Sequence, residues 1–236
     1  MINAQLLQDV MKINRSLLHP VVPFDPAKDR LAALDLTGSN SGLTDLILND
    51  TDAFIQYINS KLAATHARYG IGGYAEHRTV YRFSKVFDPK EPGEEPRRLH
   101  LGTDIWGKPL TPVMAPLEGI VHSFANNDQR GDYGATIMLT HRLSGFTFFT
   151  LYGHLSLNSI KNLREGNRVD AGDVIAEFGI PAENGGWPPH LHFQVILDPG
   201  DRKGDYPGVC KFSERDTWLA NSPDPDMLLQ LNQYLQ

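Results

Sequence analysis

The chain has 236 residues with a formal charge of -6, 41% hydrophobic and 21% charged residues. That is ordinary for a water-soluble globular protein with a sizeable core, and it excludes a nucleic-acid partner that needs clustered positive charge. A single cysteine, Cys210, excludes an internal disulfide and a cysteine-rich zinc site.

The N-terminal stretch is expected to be helical. Leu6, Leu7, Val10, Met11, Leu17 and Leu18 recur at helical spacing and stop at Pro20. Asp9, Lys12 and Arg15 interrupt any apolar run, whereas a secretory leader needs about 7–15 apolar residues in a row. No segment approaches the roughly 20 apolar residues of a membrane span, so a cytoplasmic protein is expected. Asp25-Pro26 is read as the start of a second helix. Thr51 or Asp52 is read as the cap of a third, with Phe54, Ile58 and Leu62 on one face and Gly70 at its end.

From about Arg78 the texture changes. RTVYRF, GIVHSFA, ATIMLT, FTFFTLY, DVIAEF and LHFQVIL are short β-prone runs separated by turn residues. Such a series predicts a mainly β protein, an antiparallel sheet or sandwich. The polar, Pro-rich stretch from Lys85 to Arg98 is expected to be a long exposed loop. Helix returns near Ser213 and at Asp224-Pro225, where Met227, Leu228 and Leu231 form an apolar face.

Three histidine motifs lie in the β-rich part: His100-Leu-Gly-Thr-Asp104, Tyr152-Gly-His154-Leu, and His190-Leu-His192-Phe. Pro188-Pro189 disfavours helix before the third, and Phe193-Gln-Val-Ile-Leu197 after it is β-prone. In a strand, His190 and His192 project from one face and Leu191 and Phe193 from the other. His100 and Asp104 share a face in a strand or around a tight bend at Gly102. Two imidazoles and a carboxylate form a three-ligand zinc set that leaves a position open for water or substrate. Zinc lowers the pKa of its water to about 7, which suits hydrolysis at neutral pH. His19, His66, His77, His122 and His141 are read as ordinary surface or core residues.

The order of these motifs resembles the lysostaphin-type zinc metallopeptidases, of LytM-like fold. The resemblance spans about Tyr81 to Leu197 and includes Pro112 to Val121, Asp132-Tyr-Gly134, Leu151 to Leu155, and Gly166 to Gly172. It implies one zinc ion held by His100, Asp104 and His192, with His154 and His190 acting on the water and the developing oxyanion. The implied activity is that of a peptidase or amide hydrolase on a peptide or peptidoglycan-like substrate. Taken with the helical patterns at both ends, the chain is read as a helical extension over 1–72, the metallopeptidase domain over 73–205 and a helical tail over 206–236.

Glu183 to His192, Asp205 to Gly208 and Pro223 to Pro225 are similar to one subgroup. In that subgroup the module is fused to aminotransferase and small-molecule-kinase-like domains.

Two other readings compete. A non-catalytic binding or regulatory module of the same fold would be expected to lack a ligand, and none is missing. A lipoyl- or biotin-carrier-like domain is suggested by APLEGIV and VDAGDVIAEFG, but no Met-Lys or Lys-Met pair lies between Val121 and Arg168.

Overall fold

The computed structural model describes residues 3–89 and 91–235, without the side chain of Phe83. The ends of the expected 1–72 and 206–236 segments, Met1, Ile2 and Gln236, and Lys90 of the expected loop lie outside the described residues. The architecture is mainly β, as expected. Helix α1 (Ala4–Ile13) is capped by Asn3, whose side chain accepts from the Leu6 amide, and it buries Leu7, Val10 and Met11.

The Asp25-Pro26 region makes a turn rather than a helix. Asp25 and Asp29 close it on themselves, and strand β1 (Leu31–Leu34) follows. Helix α2 (Asp45–Asn49) leads to α3 (Thr51–Thr65), whose cap is Asp50, one residue before the expected position. Helix α3 ends at His66 in the left-handed conformation, not at Gly70, which lies in β2 (Tyr69–Gly72). The N-terminal segment is therefore helical only in part, since it adds two strands to the sheet.

RTVYRF is a second departure. Val80–Phe83 forms a 3-10 turn, and Arg78 before it is buried after a single bridge to Thr37. The 85–98 stretch is not simply an exposed loop: Lys85–Phe87 makes another such turn, and Phe87 and Arg98 are buried.

The remaining strands are β3 (Leu99–His100), β4 (Thr103–Trp106), β5 (Pro112–Met114), β6 (Gly119–Asn127), β7 (Gly134–Leu143), β8 (Phe146–Leu155), β9 (Arg168–Val169), β10 (Val174–Glu177), β11 (His190–Ile196) and β12 (Val209–Cys210). Helices α4 (Arg215–Asn221) and α5 (Asp226–Leu229) close the chain and bury Leu228 and Leu229. Among the described residues, no helix is long and apolar enough to cross a membrane.

One eight-stranded sheet runs in the order β1-β2-β4-β11-β8-β7-β6-β9. Only the β1–β2 pair is parallel. The pairs β5–β10 and β3–β12 stand apart. Alternation along the strands divides the two faces. Ile71 of β2, Ile105 of β4, and Leu191, Phe193 and Val195 of β11 point into the main core, which Leu7 and Met11 of α1 also enter. The opposite face of the same strands carries Asp104, Trp106, His190, His192 and Gln194. There Phe54 and Ile58 of α3 pack with Trp106 in a second cluster.

Ile71 is 4% exposed and sits opposite Ile105 in the ladder. Truncating it to Ala should destabilise the whole protein by about 2–5 kcal/mol in urea unfolding, in a single transition. A loss below about 1 kcal/mol, or a separate early transition, would show that the N-terminal strands are merely appended.

Candidate metal centre

The central strand β11 builds the site. Its register places His192 directly across from Asp104 of β4 on one side and Gly153 of β8 on the other, while His190 lies across from Trp106. Directly opposed residues of neighbouring strands project from the same face. Asp104 and His192 therefore meet because of the pairing itself. His100 is brought in by the break between β3 and β4. Gly102 sits in that break under the ring of His192, where an added Cβ would lie 2.6 Å from Cε1. Only glycine lets the backbone pass there.

The three side chains converge. His100 Nε2 lies 2.9 Å from His192 Nδ1, and Asp104 Oδ1 lies 3.1 Å from His192 Nδ1 and 3.3 Å from His100 Nε2. The far nitrogen of each ring settles its tautomer. His100 Nδ1 donates to the Gly73 carbonyl at 3.0 Å. His192 Nε2 donates to Gln194 Oε1 at 3.0 Å, and that amide is oriented by donating in turn to the Pro207 carbonyl and Ser222 Oγ. Both inward nitrogens thus carry lone pairs, and Asp104 Oδ1 is an acceptor. Three acceptors face one another with no proton among them, an arrangement that suits a cation. Tetrahedral zinc with bonds of about 2.0–2.1 Å would separate its ligand atoms by roughly 3.3 Å, close to the spacing found. His100, Asp104 and His192 can hold a metal ion, and they form the one such group among the described residues.

His154 and His190 line one cavity together with Asp104 and His192. His154 follows Gly153 at a bulge in β8, where these two residues lie against Thr136 alone on β7. Its φ of 62° is a left-handed conformation that a side chain rarely adopts. It is held there by hydrogen bonds from its amide to Tyr133 O and from the Gly179 amide to its carbonyl, each 2.8 Å. The Nδ1 atoms of His154 and His190 donate to the carbonyls of Asn184 (2.9 Å) and Pro188 (2.8 Å), leaving each Nε2 as an acceptor. The two rings are 4.2 Å apart between centroids, and His190 stacks on Trp106 at 3.9 Å.

Burial sets the protonation of these groups. It draws His100 down to about 4, helped by the Arg78 cation, and His190 down to about 4. It takes His154 well below the ordinary imidazole value, with His190 adding to the effect. For Asp104, burial opposes ionisation, but His100 and Arg78 outweigh it and hold the carboxyl well below the usual range. At neutral pH the site therefore offers an ionised Asp104 carboxylate and neutral imidazoles at His100, His154 and His190.

All five residues expected from the sequence come together here. His141, read as ordinary, is buried away from the site and bonded to Glu118 O and Thr150 Oγ1. Reasoning from the sequence missed the supporting shell. Gly73, Glu76 and Arg78 come from a stretch with no histidine motif. Gln194 had a signal, since it follows His190 and His192 on the same face. Within Asp132-Tyr-Gly134, Tyr133 donates to Tyr206 O at 3.1 Å and packs against His192 at 5.1 Å between ring centroids.

Residues 98–203, a stretch that contains all five site residues, match the model of Peptidase family M23. Among solved structures, the chain is similar to the catalytic domain of the antimicrobial peptidase lysostaphin from Staphylococcus simulans (22% identity, 70% of this chain and 96% of that one, TM-score 0.39). It is also similar to a zinc-containing peptidase from Vibrio cholerae (26% identity, 47% of this chain, TM-score 0.35), of which it covers 31%. A third is the catalytic domain of a prophage-encoded M23 protein from Enterococcus faecalis (20% identity, 58% of this chain and 83% of that one, TM-score 0.37). No curated protein matches the chain.

The buried imidazoles make a pH prediction for the metal-free protein. Burial holds His100, His190 and His141 at about 4, against about 6.5 in an unfolded chain. Because the folded values are depressed, the unfolded chain takes up these protons first. Stability is then complete above about pH 6.5 and is lost as pH falls towards 4. The urea midpoint should be clearly lower at pH 5 than at pH 7.5. A midpoint that does not move would contradict the neutral, buried state of these rings.

Proposed function

We propose that the protein is a zinc-dependent hydrolase of peptides or related amides, the peptidoglycan type included. The observation that carries this reading is the convergence of three lone-pair donors beside a cavity that two further neutral imidazoles line. Zinc held there would polarise a carbonyl and acidify water. His100, Asp104 and His192 are the proposed ligands. Their outer hydrogen bonds to Gly73, Arg78 and Gln194 orient them before any ion arrives.

His154 and His190 carry the proposed acid–base work. Each keeps an Nε2 acceptor, since each Nδ1 is tied to a backbone carbonyl, and both residues line the cavity. One Nε2 takes the proton of the attacking water, and the imidazolium so formed returns that proton to the amine nitrogen as the C–N bond of the tetrahedral intermediate breaks. Stacking on Trp106 holds the plane of His190, and the bulge aims His154. Tyr81, Phe87, Tyr133, Trp187 and Tyr206 give the cavity aromatic walls, and Arg97, Asp132 and Asp205 add charge. That lining suits a short peptide segment with polar ends. The likeness of Glu183 to His192 to modules fused to aminotransferase and kinase-like domains adds small metabolic amides to the candidate substrates.

Zinc-loaded protein should cleave at least one member of a panel of glycine-rich peptides, muropeptides, D-amino-acid peptides and small amides. Once a substrate is in hand, His100→Ala and His192→Ala should lose both zinc and turnover. His154→Ala and His190→Ala should keep zinc and lose about a hundred- to ten-thousand-fold in turnover. Zinc lost from His190→Ala but kept by His192→Ala would reverse the assigned roles. A zinc-loaded protein inert towards the whole panel would favour a binding module instead.

A further inference from the structure

We propose that Arg78, anchored by Glu76, is a positioning residue for Asp104: it holds Oδ2 aside, so that the carboxylate presents Oδ1 alone to a metal ion. The inference rests on the metal-centre reading above. Arg78 is 1% exposed, and its guanidinium is engaged on every side. Nε donates to Glu76 Oε2 at 2.7 Å, and Nη1 donates to Asp104 Oδ2 at 2.5 Å and to the Tyr81 hydroxyl at 3.2 Å. Nη2 donates to the Gly73 carbonyl at 3.3 Å. The two oxygens of Asp104 are thereby divided. Oδ2 belongs to Arg78, and Oδ1 is the one within 3.1–3.3 Å of the His192 and His100 nitrogens.

The division has a chemical consequence. A free carboxylate can bind zinc through one oxygen or both. With Oδ2 in a charge-assisted hydrogen bond, bidentate binding requires breaking that bond. Arg78 therefore keeps the coordination number low and a position open.

Charge explains Glu76. A lone guanidinium beside Asp104 would cancel the carboxylate and repel a divalent ion. Glu76, half-buried and paired with the same guanidinium, leaves the three side chains with one net negative charge. Gly72 makes room, since a Cβ there would lie 2.7 Å from Arg78 Nη2. The segment Gly73 to Arg78 also lends its Gly73 carbonyl to His100, so it orients two of the three ligands. This segment lies outside the matched stretch 98–203, and the metal centre is completed from beyond it.

The test compares the full-length wild type with Arg78→Gln and Arg78→Lys. Zinc affinity is measured by competition with a chromophoric chelator, and the visible spectrum of bound cobalt(II) reports coordination number. Both variants should bind zinc about 10- to 100-fold more weakly. Their cobalt bands should weaken as Asp104 becomes bidentate.

The direction of the change is decisive. If Arg78 acted only as a nearby charge, its removal in Arg78→Gln would tighten zinc binding, and Arg78→Lys would leave it unchanged. Wild-type or tighter affinity in either folded variant, or an unchanged cobalt spectrum, overturns the proposal. If Arg78→Gln does not unfold cooperatively, Arg78→Lys decides alone. A wild type that takes up no zinc would instead defeat the metal-centre reading.

Discussion

The pairing of β11 between β4 and β8 is the constraint on which the site depends. Its register sets His192 opposite Asp104 and beside the bulge that carries His154. A slip of one residue would turn His190, His192 and Gln194 into the core and bring Leu191 and Phe193 to the functional face. Burial prevents that slip. Leu191, Phe193 and Val195 are each fully buried among core side chains, and moving them to the polar face would strand both sets. The packing of one face thus holds the chemistry of the other.

The histidine motifs were legible in the sequence because they are strand motifs. Period two places His190 with His192, and Pro188-Pro189 marks where the strand begins. The antiparallel, mainly β architecture was legible for the same reason. Runs such as GIVHSFA and ATIMLT carry β-branched residues between clear turn signals. What escaped were features that depend on contacts distant in sequence. Leu31–Leu34 and Tyr69–Gly72 are four-residue strands, too short to show a period, and Gly70 and Gly72 argue locally against one. They are strands because β4 offers an edge and the main core takes Tyr69 and Ile71.

Arg78 escaped for a related reason. An arginine followed by Thr-Val-Tyr reads as the start of a strand, and nothing local says that it will be buried. It is buried because Glu76 and Asp104 together compensate the guanidinium, and Asp104 is 26 residues away. The N-terminal segment is accordingly more than a cover. Its helix α3 packs Phe54 on Trp106, which stacks on His190, and the Gly73 carbonyl just after its strand β2 fixes the tautomer of His100. The outer hydrogen bonds of the site come from both ends of the chain, since Gln194 is braced by Ser222 near the C-terminus.

The central claim is that three specific atoms hold the ion and that His154 and His190 do not. Crystals grown with zinc and measured on both sides of the zinc absorption edge test it directly. One strong anomalous peak should lie within about 2.0–2.2 Å of His100 Nε2, Asp104 Oδ1 and His192 Nδ1. A peak bound instead through His154 and His190, or no peak at the site in zinc-saturated crystals, would contradict the account.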